Sequence, residues 1–330
     1  MQLISQPANF SSLAHDNHFV FEGADGGSST EVAFHLADGT LLGVRRYAGR
    51  QTIASSPRAF LRRTIDPQPE IFRRSSLVKP EGRDAELYVA YGEEGARSSD
   101  VLFTASLAHL QADTAMGPRD TLRTIALGEQ DEIALTLARN SRVEVTCTLS
   151  DGSAILLDSE IVARRGVWLV GVVPDTILSY SSQPLSVEWF DVTVVVGGEL
   201  LTRVHYTLTE RPEGAVRLAW LNPRGYLTYH TFEGLSSSQL ATRRSEAFSQ
   251  GTTTTLALEG WRELSLSSGV LSRSEAQRVG EVATSPRVWR MFPDGTAEPC
   301  TLLSSSVGAL GREALSVELT LRPSKTTTYW

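Results

Sequence analysis

The side chains that could carry chemistry are few, and the sequence does not assemble them into a reactive set. The chain has 330 residues, two cysteines and six histidines. Cys147 and Cys300 alternate with apolar residues on predicted strands, which indicates buried small side chains rather than a disulfide or a nucleophile. His205 lies on a strand of mixed polarity. His230 has no nucleophile or carboxylate beside it that could complete a catalytic group.

Motifs with a known mechanism give the same result. The sequence contains no phosphate-binding loop, dinucleotide fingerprint, nucleophile elbow or zinc-protease helix. His15 and His18 could be imagined as metal ligands, but no third ligand accompanies them, and a polar loop is the better interpretation. We therefore expect no catalytic residue, no cofactor and no metal site, and a protein that is not an enzyme.

Aromatic residues are concentrated around one tight turn, LAWLNPRGYLTYHTFEG, at 218–234. Asn222-Pro223-Arg224-Gly225 suits a type I turn, so the flanks should pair as strands with aromatic residues on both faces. Flat rings can stack on sugars or on a partner protein, which makes Tyr226, Tyr229 and Trp261 a candidate aromatic contact face. Three other tryptophans lie inside apolar strands and are predicted core residues: Trp168, Trp189 and Trp289.

Basic residues are unevenly placed. Only two of the 31 are lysines, and residues 45–83 hold ten basic against three acidic residues, a net charge of +7 in a chain of net charge −7. Such a segment could dock against an acidic surface of another subunit, with Arg62, Arg63, Arg73 and Arg74 as the candidate interface. Two alternatives stay open, namely codon bias from a GC-rich genome for the arginines and a solvated loop for the segment.

The overall charge and hydropathy exclude several classes of protein. A net charge of −7 argues against nucleic-acid binding. The sequence has no stretch of about 18 apolar residues, so we expect no membrane insertion. The opening MQLISQPANF lacks the basic and apolar regions of a signal peptide, so we expect synthesis in a cytoplasm.

Strand signals dominate the elements that must position these side chains. Alternating apolar runs are separated by two-residue turn signals at 38–39, 151–152, 197–198 and 294–295. One helix is predicted at about 272–284, because Ser272 and Glu275 form a capping box and Pro286 ends the helix. The fold class is therefore mainly β, with two β-sandwich (Ig-like) domains followed by a β-rich module with one α-helix. The expected domains are 1–115, 119–208 and 216–330, with TERPEGA at 209–215 as a linker.

Four segments resemble tail-region structural proteins of phages and prophages of gut Bacteroidetes. The order and spacing of the segments match across nearly the whole chain, although Val270 stands where family members often have tyrosine. The segments are MQLISQPANFSSLAHDNHFVFEG, LLGVRRYAGRQTIASSPRAFLRR, WLNPRGYLTYHTFEG and ELSLSSGVLSRSEAQRVGEVATSPRVWRM.

The resemblance implies a non-enzymatic virion structural protein, an assembly subunit of the distal tail or baseplate region that is made in the bacterial host cytoplasm and located in the virion tail. Its partners would be copies of itself and other tail or baseplate proteins. One face of the hairpin at 218–234 would pack in the third module, and the other would be available to a neighbouring subunit. The alternative is a carbohydrate-binding adhesin or receptor-binding protein whose partner is a host surface glycan.

Overall fold

A computed structural model describes residues 1–22, 29–48, 51–92, 95–118, 120–249, 252–309, 315–324 and 328–329. The chain is mainly β, as predicted, and its described residues form five sheets and few helices. The apolar alternation at 313–322 also predicts a strand, and the structure describes that part only from residue 315, where strand Leu315–Pro323 begins. Lys325 and Trp330 lie outside the described residues.

Two sheets face each other in the N-terminal module. Apolar residues alternate along their strands, so one side of each sheet is buried, and the core contains Phe19 and Phe21 from one sheet and Phe34, Leu87 and Phe103 from the other. One sheet has the order β1-β3-β6, and the other β2-β10-β8-β4-β5 with β9 beside β8. The elements are β1 (Gln2–Ser5), β2 (Ser11–Ser12), β3 (Phe19–Glu22), β4 (Ser29–Leu36), β5 (Leu41–Ala48), β6 (Thr52–Ser55), helix α1 (Arg58–Leu61), β7 (Ser76–Val78), β8 (Asp84–Tyr91), β9 (Ala96–Arg97) and β10 (Val101–Thr104).

The second module is also a sandwich of two sheets. Its core holds Leu135, Val170, Val145, Val192 and Tyr206, all nearly inaccessible to solvent. One sheet has the order β12-β18-β17-β14-β15, with β12 and β18 parallel, and the other β11-β13-β16-β7. The elements are β11 (Thr114–Ala115), β12 (Asp120–Ala126), β13 (Asp131–Leu137), β14 (Ser141–Leu149), β15 (Ala154–Val162), β16 (Gly166–Val172), helix α2 (Pro174–Leu178), a 3-10 turn (Pro184–Ser186), β17 (Trp189–Val196) and β18 (Glu199–Thr209).

Strand pairing crosses the boundary predicted between the first two domains. Strand β7 lies within the predicted 1–115 domain but pairs with β16, with Val78 opposite Leu169 and Leu77 opposite Val170. Strand β11 likewise belongs to the sheet of the second sandwich. Strands from the predicted 1–115 domain therefore complete a sheet of the second sandwich, and the division at 115–119 does not separate two independent sets of hydrogen bonds.

One eight-stranded sheet organises the third module, in the order β20-β19-β23-β24-β25-β22-β21 with β26 beside β22. The predicted helix is confirmed: α3 begins directly after the N-cap Ser272, which forms a capping box with Glu275. It continues as a 3-10 turn and packs on the sheet through Ala276, Val279 and Val282. The elements are β19 (Val216–Leu221), β20 (Leu227–Phe232), β21 (Gly234–Ser249), β22 (Thr252–Ser267), α3 (Arg273–Gly280), a 3-10 turn (Glu281–Thr284), β23 (Val288–Met291), β24 (Ala297–Ala309), β25 (Leu315–Pro323) and β26 (Thr328–Tyr329). Among the described residues, no helix has the length and apolar character to span a membrane.

The turn signals read from the sequence lie where strands reverse. Hairpins β4–β5, β14–β15, β17–β18 and β23–β24 each contain a predicted Asp-Gly or Gly-Gly pair, and all five glycines have positive φ. The aromatic hairpin β19–β20 reverses at 222–225, where the Gly225 amide donates to the Asn222 carbonyl and φ of Gly225 is +84°. Because a Cβ on Gly225 would lie 2.6 Å from the backbone nitrogen of Ser106, only glycine fits this approach to the first module.

Candidate functional site: a buried junction, an exposed basic segment and a projecting arm

All three modules meet at one short polar segment, Glu129-Gln130-Asp131-Glu132, at the start of β13. Each of the four side chains is buried, although charged residues are rarely buried without partners. The segment follows the β12–β13 turn and leads into a strand that is buried along its whole length. The polar groups therefore need hydrogen-bond partners from neighbouring modules, because water cannot reach them.

Glu132 lies at the centre of this junction, which we define as Arg83, Glu132, Leu227 and Tyr229. The Arg83 guanidinium donates two hydrogen bonds, Nη1 to Oε1 at 3.0 Å and Nη2 to Oε2 at 2.9 Å, and both side chains are inaccessible to solvent. The Leu227 amide donates to Oε1 at 2.9 Å, and the Tyr229 hydroxyl donates to Oε2 at 3.2 Å. Arg83 belongs to the first module, Glu132 to the second, and Leu227 and Tyr229 to the third.

These contacts determine what Glu132 can do. Burial raises the pKa of Glu132, whereas Arg83 and the Leu227 amide act in the opposite direction. Both carboxylate oxygens already accept two hydrogen bonds each, so they have no free position for a substrate proton. We interpret the junction as a structural connection between modules rather than an acid–base site.

Two neighbours of Glu132 extend the connection. Arg217 of the third module donates from Nη1 to Glu129 Oε2 at 2.8 Å and from Nη2 to the Gln130 carbonyl at 2.7 Å. The Gln130 side chain accepts from the Phe72 amide of the first module at 3.1 Å. Glu129 and Gln130 thus bind the third module through Arg217, and Gln130 also binds the first module through Phe72. These contacts fix the second sandwich between the other two modules.

The predicted aromatic contact face is wrong for two of its three residues. Tyr226 and Tyr229 are 7% and 3% exposed, because β20 packs on the second sandwich and its loop contacts the first module. Trp261 lies on β22, near the other end of the sheet, where its ring is half-buried beneath the Arg322 guanidinium at 5.3 Å. The three rings form no common surface, and the hairpin face expected to meet a neighbouring subunit is covered by the chain itself.

Two of the three tryptophans predicted for the core are buried, Trp168 and Trp289. Trp189 is only half-buried and lies against the ring of His205, whose Nδ1 is 2.7 Å from Asp191 Oδ1. Within the described part of the chain, no group of three or more His, Cys, Asp or Glu side chains is placed to hold a metal ion.

The basic side chains of residues 45–83 differ in whether they are paired within the chain. Four of the ten basic side chains form ion pairs within the chain: Arg46 with Glu31, Arg58 with Asp16, Lys79 with Asp84 and Arg83 with Glu132.

The remaining side chains include the four that the sequence singled out. Arg62, Arg63, Arg73 and Arg74 are all exposed, and none has an ion-pair partner among the described residues. Their accessibility is compatible with docking against an acidic surface, and their role as an interface stays a prediction.

Reversing the charge of Arg73 and Arg74 tests that role. We expect the Arg73→Glu/Arg74→Glu variant to weaken self-association at low salt, with little effect at high salt, because exposed charges are screened there. Its free energy of unfolding should stay within about 0.5 kcal/mol of the wild type, since both residues are exposed. Sedimentation at two salt concentrations measures the first effect. Arg46→Glu, which removes a basic residue already paired with Glu31, is the control, and equal loss in both variants would contradict a specific interface.

A feature not predicted from the sequence is the length of hairpin β21–β22. Each strand has 16 residues, but β22 pairs with β25 only at 264–267 and with β26 only at 259–260. Residues 244–249 and 252–258 therefore form a two-stranded ribbon with no further sheet neighbour among the described residues, which we call the arm. At about 3.4 Å per residue the arm extends roughly 20 Å beyond the sheet.

The exposed side chains of β21 are partly apolar. Phe248, on the arm, is 75% exposed, and Leu240, nearer the sheet on the same strand, is 74% exposed. Isolated two-stranded ribbons are marginally stable in water, and their open edges can pair with other chains. The arm has the properties of a segment that binds another protein.

Comparisons with known proteins give only low structural similarity. No protein-family model and no curated protein matches the chain. Among solved structures, a chain of a "Virion of native gene transfer agent (GTA) particle" is 14% identical with a TM-score of 0.21, covering 37% of this chain and 99% of that one. A "Biofilm associated protein - BSP domain" is also 14% identical with a TM-score of 0.18, covering 63% of this chain and 30% of that one. Similarities this low carry no argument about fold or function.

Proposed function

We propose that this protein is a non-enzymatic structural subunit of a virion, and that it assembles in the distal tail or baseplate region of a phage. The observation that carries the proposal is the arm, whose two strands leave the sheet with Phe248 exposed and with no further strand beside either edge among the described residues. A monomer gains little from such a ribbon, whereas a neighbouring subunit could cover it. The resemblance to tail proteins of Bacteroidetes phages supports the same assignment.

The rest of the chain fits a rigid subunit. The saturated hydrogen bonding of Glu132 holds the three modules in one arrangement, so an arm fixed to the third module has a defined direction. Virion parts are built by symmetric repetition, in which each contact is weak alone and strong in a closed ring. We expect partners to be further copies of this chain and other tail or baseplate proteins.

Removing the arm tests the proposal. Residues 244–258 can be replaced by Asn-Gly, because Arg243 and Glu259 are directly opposite and a two-residue turn closes such a pair. We expect this variant to fold with thermal stability close to the wild type and to be absent from virions or induced prophage particles. Mass spectrometry of purified particles measures incorporation, and electron microscopy of labelled protein locates it.

A matched pair of substitutions separates the arm from general surface effects. Phe248→Ser should reduce incorporation, whereas Leu185→Ser, which removes a fully exposed apolar residue of the second sandwich, should not. Wild-type incorporation of the arm-deleted protein would contradict assembly through the arm. Absence of the wild-type protein from all particles would contradict a virion role altogether.

The structure removes most of the evidence from the sequence that favoured a carbohydrate-binding adhesin. That evidence depended on exposed rings at Tyr226, Tyr229 and Trp261, and the two tyrosines are buried between modules. A glycan array on the wild type and on Trp261→Ala would still detect binding through the third ring.

A further inference from the structure

A cleft of about 650 Å³ lies between the first and second sandwiches. This volume falls within the range of small-molecule sites, about 300–1,000 Å³, and boundaries between domains are common positions for them. Its lining includes Asn9, Phe10, Glu86, Leu110, Arg139 and Arg165. The mixture of apolar and convergent polar groups is typical of a binding site rather than a packing defect.

The walls of the cleft are fixed by hydrogen bonds between distant segments. The Leu110 amide donates to the Phe10 carbonyl at 3.2 Å, which ties the two apolar residues together. The Ala138 amide donates to Asp113 Oδ1 at 2.9 Å, which holds the β13–β14 turn against the opposite wall. The cleft is therefore formed before any ligand arrives, and binding would not have to pay for ordering it.

One residue of the cleft wall, Phe10, has an unusual backbone conformation. In the described part of the chain, the residues other than glycine with positive φ are Phe10 at +60°, Asp113 at +51° and Asn140 at +62°. Phe10 lines the cleft, and Asp113 and Asn140 each directly follow a residue that lines it, Ala112 and Arg139. Left-handed backbone at a phenylalanine is costly, and such strain is found preferentially at ligand sites.

One of the two arginines in the cleft is only weakly paired with the Glu86 carboxylate. Arg165 donates from Nε to the buried Glu86 carboxylate at 2.7 Å and neutralises it. Arg139 approaches the same carboxylate only to 3.4 Å, which is long for a charge-assisted hydrogen bond, and its side chain is 54% exposed. A guanidinium has five donors, so Arg139 can offer a bidentate pair to an incoming carboxylate.

We infer that the cleft binds a sugar acid, with its carboxylate on Arg139. Asn9 Oδ1 accepts from the Leu102 amide, which leaves the Nδ2 group of the Asn9 side-chain amide to donate to a hydroxyl. Ser99 and Asp100 also line the cleft and supply further polar groups for hydroxyls. Leu110, which is half-buried, provides an apolar contact for the carbon face of the ring. The inference does not depend on the arm or on assembly into a virion.

The experiment compares D-glucuronate with D-glucose, which lacks the carboxylate, by titration calorimetry at low salt on the full chain. We expect glucuronate to bind at least tenfold more tightly than glucose, and Arg139→Gln to remove at least tenfold of its affinity. Arg142→Gln is the matched control, because Arg142 is exposed on β14 close in sequence to Arg139, is paired with Glu144 and does not line the cleft. Ala112→Trp, which places a large ring at the cleft, should abolish binding without involving a charge.

Any of four results would overturn the inference. One is no detectable glucuronate binding to the wild type, and another is equal affinity for glucose and glucuronate. The third is equal or tighter binding of N-acetyl-aspartate amide, which would assign the cleft to acidic peptides instead of sugar acids. Folded Arg139→Gln protein with unchanged affinity would also contradict the role of that arginine.

Discussion

Replacing Glu132 with alanine is expected to lower the free energy of unfolding by about 3–5 kcal/mol, which makes it among the most damaging single changes in the chain. The reason is the Arg83 guanidinium, which would remain buried with its charge uncompensated. The Leu227 amide and the Tyr229 hydroxyl would lose their acceptor in the same step. Urea denaturation followed by tryptophan fluorescence measures the change.

Two further variants identify the cause. Glu144→Ala breaks the exposed ion pair with Arg142 and should change stability by less than about 1 kcal/mol. Arg83→Met combined with Glu132→Leu should recover part of the loss, because no unpaired charge then remains in the junction. A Glu132→Ala variant that unfolds like the wild type would show that the junction does not hold the modules together.

Val279→Asp should be comparably destabilising, by about 4 kcal/mol, because it places a carboxylate where no solvent reaches. Val279 is fully buried between α3 and the sheet, in the cluster that contains Trp220 and Leu319. Gln277→Asp adds the same charge to the exposed side of the helix and is the control. Thermal unfolding of both variants gives the difference, and equal melting temperatures would contradict the packing of α3 on this sheet.

Local patterns in the sequence predicted local structure well. The Asp-Gly and Gly-Gly pairs, the Ser272–Glu275 capping box and the turn at 222–225 each depend on backbone conformations that a few adjacent residues determine. The exposure of the four singled-out arginines was also predictable, since long charged side chains rarely lie inside a protein without partners.

The junction could not be predicted in this way, because its partners are far apart in the sequence. Arg83 precedes Glu132 by 49 residues, and Tyr229 follows it by 97. The sequence signal that could have located the junction is a run of four polar residues leading directly into a strand with no exposed face, since such residues need partners from elsewhere. The burial of Tyr226 and Tyr229 follows from the same packing, which alternation along a strand does not reveal.

The length of β21 and β22 was missed for a different reason. Serine and threonine are frequent in both strands, a composition that is typical of a polar loop. The pairing of the two strands along their full length is visible only in the structure. The available signal for a strand was the presence of the apolar residues Leu240 and Phe248 at even-numbered positions among the polar residues of β21.

The place of β7 in the sheet of the second sandwich has a consequence for synthesis on the ribosome. Its partner β16 is translated roughly 90 residues later, which at about 5–20 residues per second is a delay of about 5–20 s. During that interval the growing chain carries a strand that has no sheet partner, although every strand of the first sandwich has been translated by residue 104. Closure of the second sandwich therefore depends on a strand that is translated within the first module, and the Arg83–Glu132 pair joins the same two modules.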